Sequence, residues 1–135
     1  MRVHTPSADD LVAAYLSALG DADIDAMLRL FAPGATVDSP LYGERLTPDF
    51  YRELFADTAA SVLSLRTTLT SGDGTTIAFW FDFDWTLADG TPAPFSVVDV
   101  AELDENGRIT RLTIVYDTHP LRDAWDAQRR AAPHA

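Results

Sequence analysis

The chain has 135 residues, 47% of them hydrophobic and 23% charged, with a net charge of −11 and no cysteine. This describes a single domain that buries roughly two-thirds of its surface without staples, and it excludes disulfides, thiolate chemistry and zinc-finger or iron–sulfur signatures. The acid excess argues against nucleic acid and anionic membranes as partners, since phosphate binding needs a basic surface. No apolar run approaches the ~20 residues that span a bilayer. Met1, Arg2, Val3, His4, Thr5 and Pro6 run straight into a polar helix start, so a cytoplasmic protein is expected.

Helices come first. Thr5 with Pro6, or Ser7, can cap a first helix, and Asp9 and Asp10 favour its positive end. Leu11, Tyr15 and Leu19 follow at i, i+4 and i+8, Val12 and Leu16 widen the apolar stripe, and Gly20 is expected to end it. Asp23 caps a short second helix in which Ile24, Met27, Leu28 and Phe31 keep helical spacing, with Pro33-Gly34 as its stop. A short strand follows at 35–38, and Ser39-Pro40 turns it into a loop. Thr47-Pro48-Asp49 starts a third helix with Phe50, Tyr51, Leu54 and Phe55 inward.

From residue 63 the period becomes two. Leu63, Leu65, Thr67 and Leu69 are expected on one face, before a hairpin turn at Ser71-Gly72-Asp73-Gly74. Residues 75–87 alternate Ile77, Phe79, Phe81, Phe83 and Trp85 with Ala78, Trp80, Asp82, Asp84 and Thr86. If the phenylalanine face fills the core, Asp82 and Asp84 point to solvent or a dimer partner. A one-residue slip would bring them into a cavity as paired carboxylates. Strands 95–103 and 108–117 complete the sheet, and the polar tail 120–135 is expected to fray, leaving a core of about 6–119 within one domain, 1–135. Helices followed by strands make an α+β fold: three N-terminal helices on a strongly curved antiparallel sheet, a cone with a pocket at its mouth.

Asp99 stands out in this pattern. It shares a strand face with Phe95, Val97, Ala101 and Leu103, where a carboxylate is costly unless paired, protonated or lining a cavity. A buried structural acid and a cavity acid fit the periodicity equally. On the last strand Leu112, Ile114 and Tyr116 alternate with Arg111, Thr113 and Val115, so the first set is expected to face the cone, with Tyr116 as a pocket hydroxyl. His119 lies at the strand exit and titrates in the range of acid–base work, or is a surface residue. No His-x-His or Glu-x-x-His spacing and no glycine-rich phosphate loop is present, so neither a metal nor a nucleotide cofactor is expected.

Several strings resemble the ketosteroid isomerase and SnoaL-like branch of the NTF2-like superfamily. They are Tyr15-Leu16-Ser17-Ala18-Leu19, the segment 25–31 followed by Ala35-Thr36-Val37, Tyr51-Arg52-Glu53-Leu54-Phe55, and Val98-Asp99-Val100 through Gly107-Arg108-Ile109. Together they cover most of residues 8–117. The resemblance implies a cone fold and an oxyanion clamp in which Tyr15 and a protonated Asp99 hold a developing enolate oxygen. The family places its general base immediately before the proline that ends the first short strand. Here that residue is Ser39, and the carboxylate is one step earlier at Asp38, on the opposite face unless a bulge re-aims it. Limonene-epoxide-hydrolase-like chemistry needs an Asp-Arg-Asp arrangement, and Val97 and Ile114 stand where the arginine and second acid would be.

The expected protein is a cofactor-free acid–base enzyme of isomerase, cyclase or dehydratase type. Its substrate would be a small apolar oxygenated molecule such as a polyketide or steroid-like ring. Tyr15, Asp99, Asp38 and His119 are the candidate catalytic residues, and Leu54, Leu112, Ile114 and Tyr116 the candidate substrate contacts. A homodimer through the outer sheet face is expected. The alternatives are a non-catalytic binding or dimerisation module and an epoxide hydrolase.

Overall fold

The computed structural model describes residues 7–131. Helices α1 (Ala8–Asp21) and α2 (Ile24–Leu28) lead into strands β1 (Phe31–Ser39) and β2 (Gly43–Leu46). Helix α3 (Thr47–Ala56) follows, then β3 (Thr58–Thr70), β4 (Thr76–Leu87), β5 (Phe95–Leu103), β6 (Ile109–Val115) and α4 (His119–Ala131). The strands form one six-stranded sheet in the order β2-β1-β6-β5-β4-β3. The α+β layout agrees with the sequence, but the sheet is mixed: β1 runs parallel to β6, while the other neighbours are antiparallel. The long path from β1 through β2, α3 and three further strands supplies the crossover that a parallel pair requires.

Local chemistry sets the helix ends. Ser7 caps α1, its hydroxyl accepting the Asp10 N–H at 3.1 Å while Asp10 reaches back to the Ser7 amide. The competing cap at Thr5-Pro6 lies outside the described residues. The helix continues through Gly20, and Ala22 takes the left-handed terminal position at φ 52°. Helix α2 closes at Leu28, so Phe31 opens β1 instead of ending a helix. Pro33-Gly34 is then a bulge inside β1. The β1–β6 register jumps from Phe31↔Ile109 to Thr36↔Arg111, and Gly34 has φ 77°, a conformation that an L side chain resists.

The inner face of β4 behaves as its alternation predicts: Phe79, Phe81, Phe83 and Trp85 are buried, with Phe79, Phe81 and Phe83 stacked in sequence and Trp85 tilted against Phe83. Asp82 and Asp84 point outward. Strand β3 departs from expectation. A bulge at Arg66 shifts the pairing from Leu65↔Phe81 to Thr67↔Trp80 and Leu69↔Ala78, which turns Thr67 and Leu69 to the outer face. Leu69 is 64% exposed there.

The tail does not fray within residues 119–131. Leu121, Ala124, Trp125 and Gln128 recur at helical spacing, and Leu121 and Gln128 are buried. Gln128 accepts the Asp89 N–H at 3.0 Å, and Arg129 donates to Glu53 at 2.8 Å and to Asp57 at 3.0 Å. The polar composition that reads as fraying is the docking chemistry of α4. Among the described residues no helix is long and apolar enough to cross a membrane.

Candidate active site

A cavity opens between α1, α3 and the inner face of β1, β4, β5 and β6. Its wall is apolar: Leu19, Phe50, Leu54, Phe81, Phe83 and Trp85 supply most of it, with Ile114 and with Phe95, which packs on Tyr116. The space between the lining side chains is about 420 Å³ counting the open mouth. The interior between these side chains is narrow. Oxygen atoms enter this wall from Tyr15, Ser39, Tyr42, Asp99 and Tyr116.

Asp99 sits mid-strand, paired with Phe79 on β4 and Ile114 on β6, and is 1% exposed. Its Oδ1 is buried without a hydrogen-bond partner. Burial pushes the carboxyl up to about 7, and the neighbouring Tyr15 phenol is the group that favours its charged form. An acid so placed populates both protonation states at neutral pH, where proton transfer is most efficient. Asp99 is both buried and among the residues that line the cavity wall.

Tyr15 projects from α1 onto Phe79, with ring centroids 5.2 Å apart, and its hydroxyl lies 2.8 Å from the Tyr51 hydroxyl. Both phenols are raised well above their ordinary range by burial, with the nearby Asp99 carboxylate adding to it. Tyr51 was expected only as an inward residue of the third helix. The available signal was its hydroxyl, because a tyrosine that shares a buried helix face with Leu54 and Phe55 must find a polar partner.

Ser39 and Asp38 divide as alternation along β1 requires. Ser39 is buried in the cavity wall, and its hydroxyl accepts the amides of Leu41 and Tyr42 at 3.3 Å each. Asp38 lies on the outer face, 3.6 Å from Arg111, which also faces Glu44 at 3.7 Å. The β1 bulge falls before Thr36 and does not re-aim it. His119 is exposed at the start of α4, where its amide donates to Asp117. Neither residue reaches the cavity, so the expectation that one of them moves the substrate's proton is corrected by position.

The substrate-contact candidates also divide. Leu54, Ile114 and Tyr116 line the cavity. Leu112 is fully buried between Val37 and Ala101 and belongs to the packed floor. The Tyr116 ring packs on Phe95 with centroids 4.6 Å apart. Burial pushes its phenol up to about 12, while the Ser39 hydroxyl and Leu41 amide favour the ionised form. Tyr42, which the sequence did not single out, joins the wall to the outside. Its phenol is raised by burial and donates to Asp57 at 2.7 Å, and its ring packs edge-on to Trp125 of α4. Among the described residues no group of three or more His, Cys, Asp or Glu side chains could hold a metal ion.

A model of the SnoaL-like domain family matches residues 12–112. Among solved structures, the chain is similar to SalBIII, described as an epoxide hydrolase/cyclase-like enzyme in pyran ring formation in the polyether salinomycin. That match has 19% identity and a TM-score of 0.71 and covers 81% of this chain and 89% of that one. An NTF2-like protein from Cytophaga hutchinsonii matches at 19% identity and a TM-score of 0.68, over 90% of this chain and 99% of that one. A protein from Catenulispora acidiphila with a ketosteroid isomerase-like fold, in complex with trimethylamine, matches at 15% identity and a TM-score of 0.70, over 84% and 88%. At these identities the likeness is one of fold.

Proposed function

The chain belongs to the SnoaL-like domain family, and we propose that within it this protein is a cofactor-free acid–base enzyme of isomerase, cyclase or dehydratase type. Its substrate is a small, apolar, oxygenated molecule of the polyketide or steroid-like ring class. The observation that carries this reading is Asp99: a buried carboxyl with an orphan oxygen, poised at about 7, on the wall of an otherwise apolar cavity. Tyr15 donates to a substrate oxygen as charge develops on it, an effect worth a few kcal/mol in a dry site. Asp99 in its acid form protonates that oxygen, and its carboxylate takes a proton from elsewhere on the substrate. Isomerisation and cyclisation each move one proton within the substrate, so a single carboxyl that gives and regains one completes the cycle. Hydrolysis also requires an activated water, and Val97 and Ile114 offer nothing to hold it. SalBIII, described as an epoxide hydrolase/cyclase-like enzyme in pyran ring formation, shares the fold on which this reading is placed.

The test is binding of 2,4-dinitrophenolate, which stays ionised across the neutral range and mimics an enolate oxygen. The expected affinity falls as pH rises through about 7, because ionised Asp99 repels the anion. That pH dependence should vanish in Asp99→Asn, and binding should weaken in Tyr15→Phe. A wild-type protein that binds no phenolate would favour the rival reading of a dimerisation module. The outer sheet face, where Val62, Leu69, Trp80 and Val115 are exposed, supports a homodimer through that face. Light scattering on Trp80→Arg, expected to be monomeric, tests it.

A further inference from the structure

Asp99 and Tyr15 account for one substrate oxygen, but the cavity holds a second polar group that this role leaves unused. The Tyr15 hydroxyl, backed by Tyr51, serves that first oxygen, and the Tyr42 hydroxyl is given to Asp57. Tyr116 has no comparable acceptor among the described residues, although its phenol lines the same wall. Its oxygen is supplied from behind. Ser39 Oγ receives the amides of Leu41 and Tyr42, which occupies its lone pairs and leaves its proton to give away. The Ser39 hydroxyl stands near the Tyr116 oxygen and favours charge on it, as a neighbouring donor does. With the Ser39 hydroxyl behind it, the Tyr116 phenol keeps its own proton to offer, and it lines the cavity, where that proton can go.

Register gives the spacing. Asp99 pairs with Ile114 across β5 and β6, and Asp38 pairs with Thr113 across β1 and β6, which puts Ser39 beside Ile114. Tyr116 lies two residues beyond Ile114, about 6.6 Å further along the strand and about 4.8 Å from β5. Its phenol is close enough to Asp99 for that carboxylate's charge to be felt. The two polar groups therefore bracket a short apolar span rather than opposite ends of a long groove.

We propose that Tyr116, set in place by Ser39, donates a hydrogen bond to a second oxygen of the substrate, so that the enzyme selects compact molecules with two oxygen functions a few carbons apart. This rests on the reading of Asp99 and Tyr15 as the site of the first oxygen. Tyr116 contacts substrate, and Ser39 is a positioning residue that acts through it. The narrow, ring-walled interior favours a flat skeleton between the two oxygens.

Phenol and resorcinol, both neutral at pH 7, separate the two oxygens in a titration. Resorcinol is expected to bind the wild-type protein about three- to tenfold more tightly than phenol, the range of one good hydrogen bond. In Tyr116→Phe that preference disappears while phenol affinity is kept. In Asp99→Asn both ligands weaken and the preference survives. Ser39→Ala lowers the preference and Ser39→Thr restores it, which a merely structural role would not do. Equal binding of the two ligands to wild type, or a preference retained in Tyr116→Phe, overturns the proposal alone. Failure of both ligands to bind wild type overturns the first-oxygen reading, and this proposal with it.

Discussion

Asp99 and Asp82 stand on neighbouring strands of one sheet and carry the same side chain, yet they are opposite kinds of acid. Asp82 faces outward, where Arg66 binds both its oxygens at 3.0 Å and holds it below the usual carboxylate range. Asp99 faces inward, meets no cation, keeps an orphan oxygen, and is raised to about 7. Asp38, on β1, repeats the outward case beside Arg111. The difference shows that the direction of a side chain from the sheet, and not its residue type, decides whether a carboxylate is a surface charge or a reagent.

The largest expected effect tests the inward acid through stability. Its folded value lies above that of the unfolded chain, so the folded state holds the proton more tightly. The stabilisation is complete below about pH 4 and is lost as pH rises toward about 7, after which the loss is constant. The shift corresponds to roughly 4 kcal/mol over that window. Denaturant midpoints of the wild-type protein should therefore fall between pH 4 and 8, and Asp99→Asn should remove most of that slope. A variant that loses substrate binding but gains stability at pH 8 would mark Asp99 as a residue kept for chemistry at a structural cost. Parallel pH profiles for the two proteins would mean that Asp99 is paired in solution, and the contrast with Asp82 would collapse.

A second, smaller effect concerns what stands behind the inward acid. Tyr51→Phe removes the 2.8 Å bond to Tyr15, at a cost of about 1 kcal/mol. If Tyr51 donates to Tyr15 and Tyr15 to Asp99, the shortened chain stabilises the carboxylate less, and the Asp99 value should rise above about 7. Carbon NMR of labelled aspartate reads this directly. A fall instead would show that Tyr15 divides its proton between Tyr51 and Asp99.

Much of this contrast is legible in the sequence because a strand has period two. The alternation of β4 separates its buried rings from Asp82 and Asp84, and the same rule turns Asp99 and Ser39 inward and Asp38 outward. What is not legible lies where the period breaks or partners come from afar. The bulge at Arg66 inserts one residue and sends Leu69 to the outer face, with no glycine or proline to announce it. Pro33-Gly34 reads equally as a helix stop or a strand bulge, and only pairing with β6 decides between them. Tyr51 meets Tyr15 across 36 residues, and α4 docks through Arg129 onto Glu53 and Asp57, more than 70 residues away. Such contacts depend on how elements pack, which local periodicity does not encode.

The smallest expected effect is the control that gives the comparison its force. Asp82→Asn and Asp38→Asn each remove an outward carboxylate whose arginine partner stays in water. Arg66 keeps its place over the Trp80 ring, 4.9 Å from the centroid, and Arg111 still faces Glu44. Exposed pairs of this kind gain little, because solvent screens the charge and holding two long side chains costs entropy. Neither variant should measurably shift the unfolding midpoint, phenolate affinity or its pH dependence. A change in phenolate binding in Asp38→Asn would be the informative failure. It would mean that the outer carboxylate is felt across β1 at Ser39, and that the two faces of the sheet are not electrostatically independent.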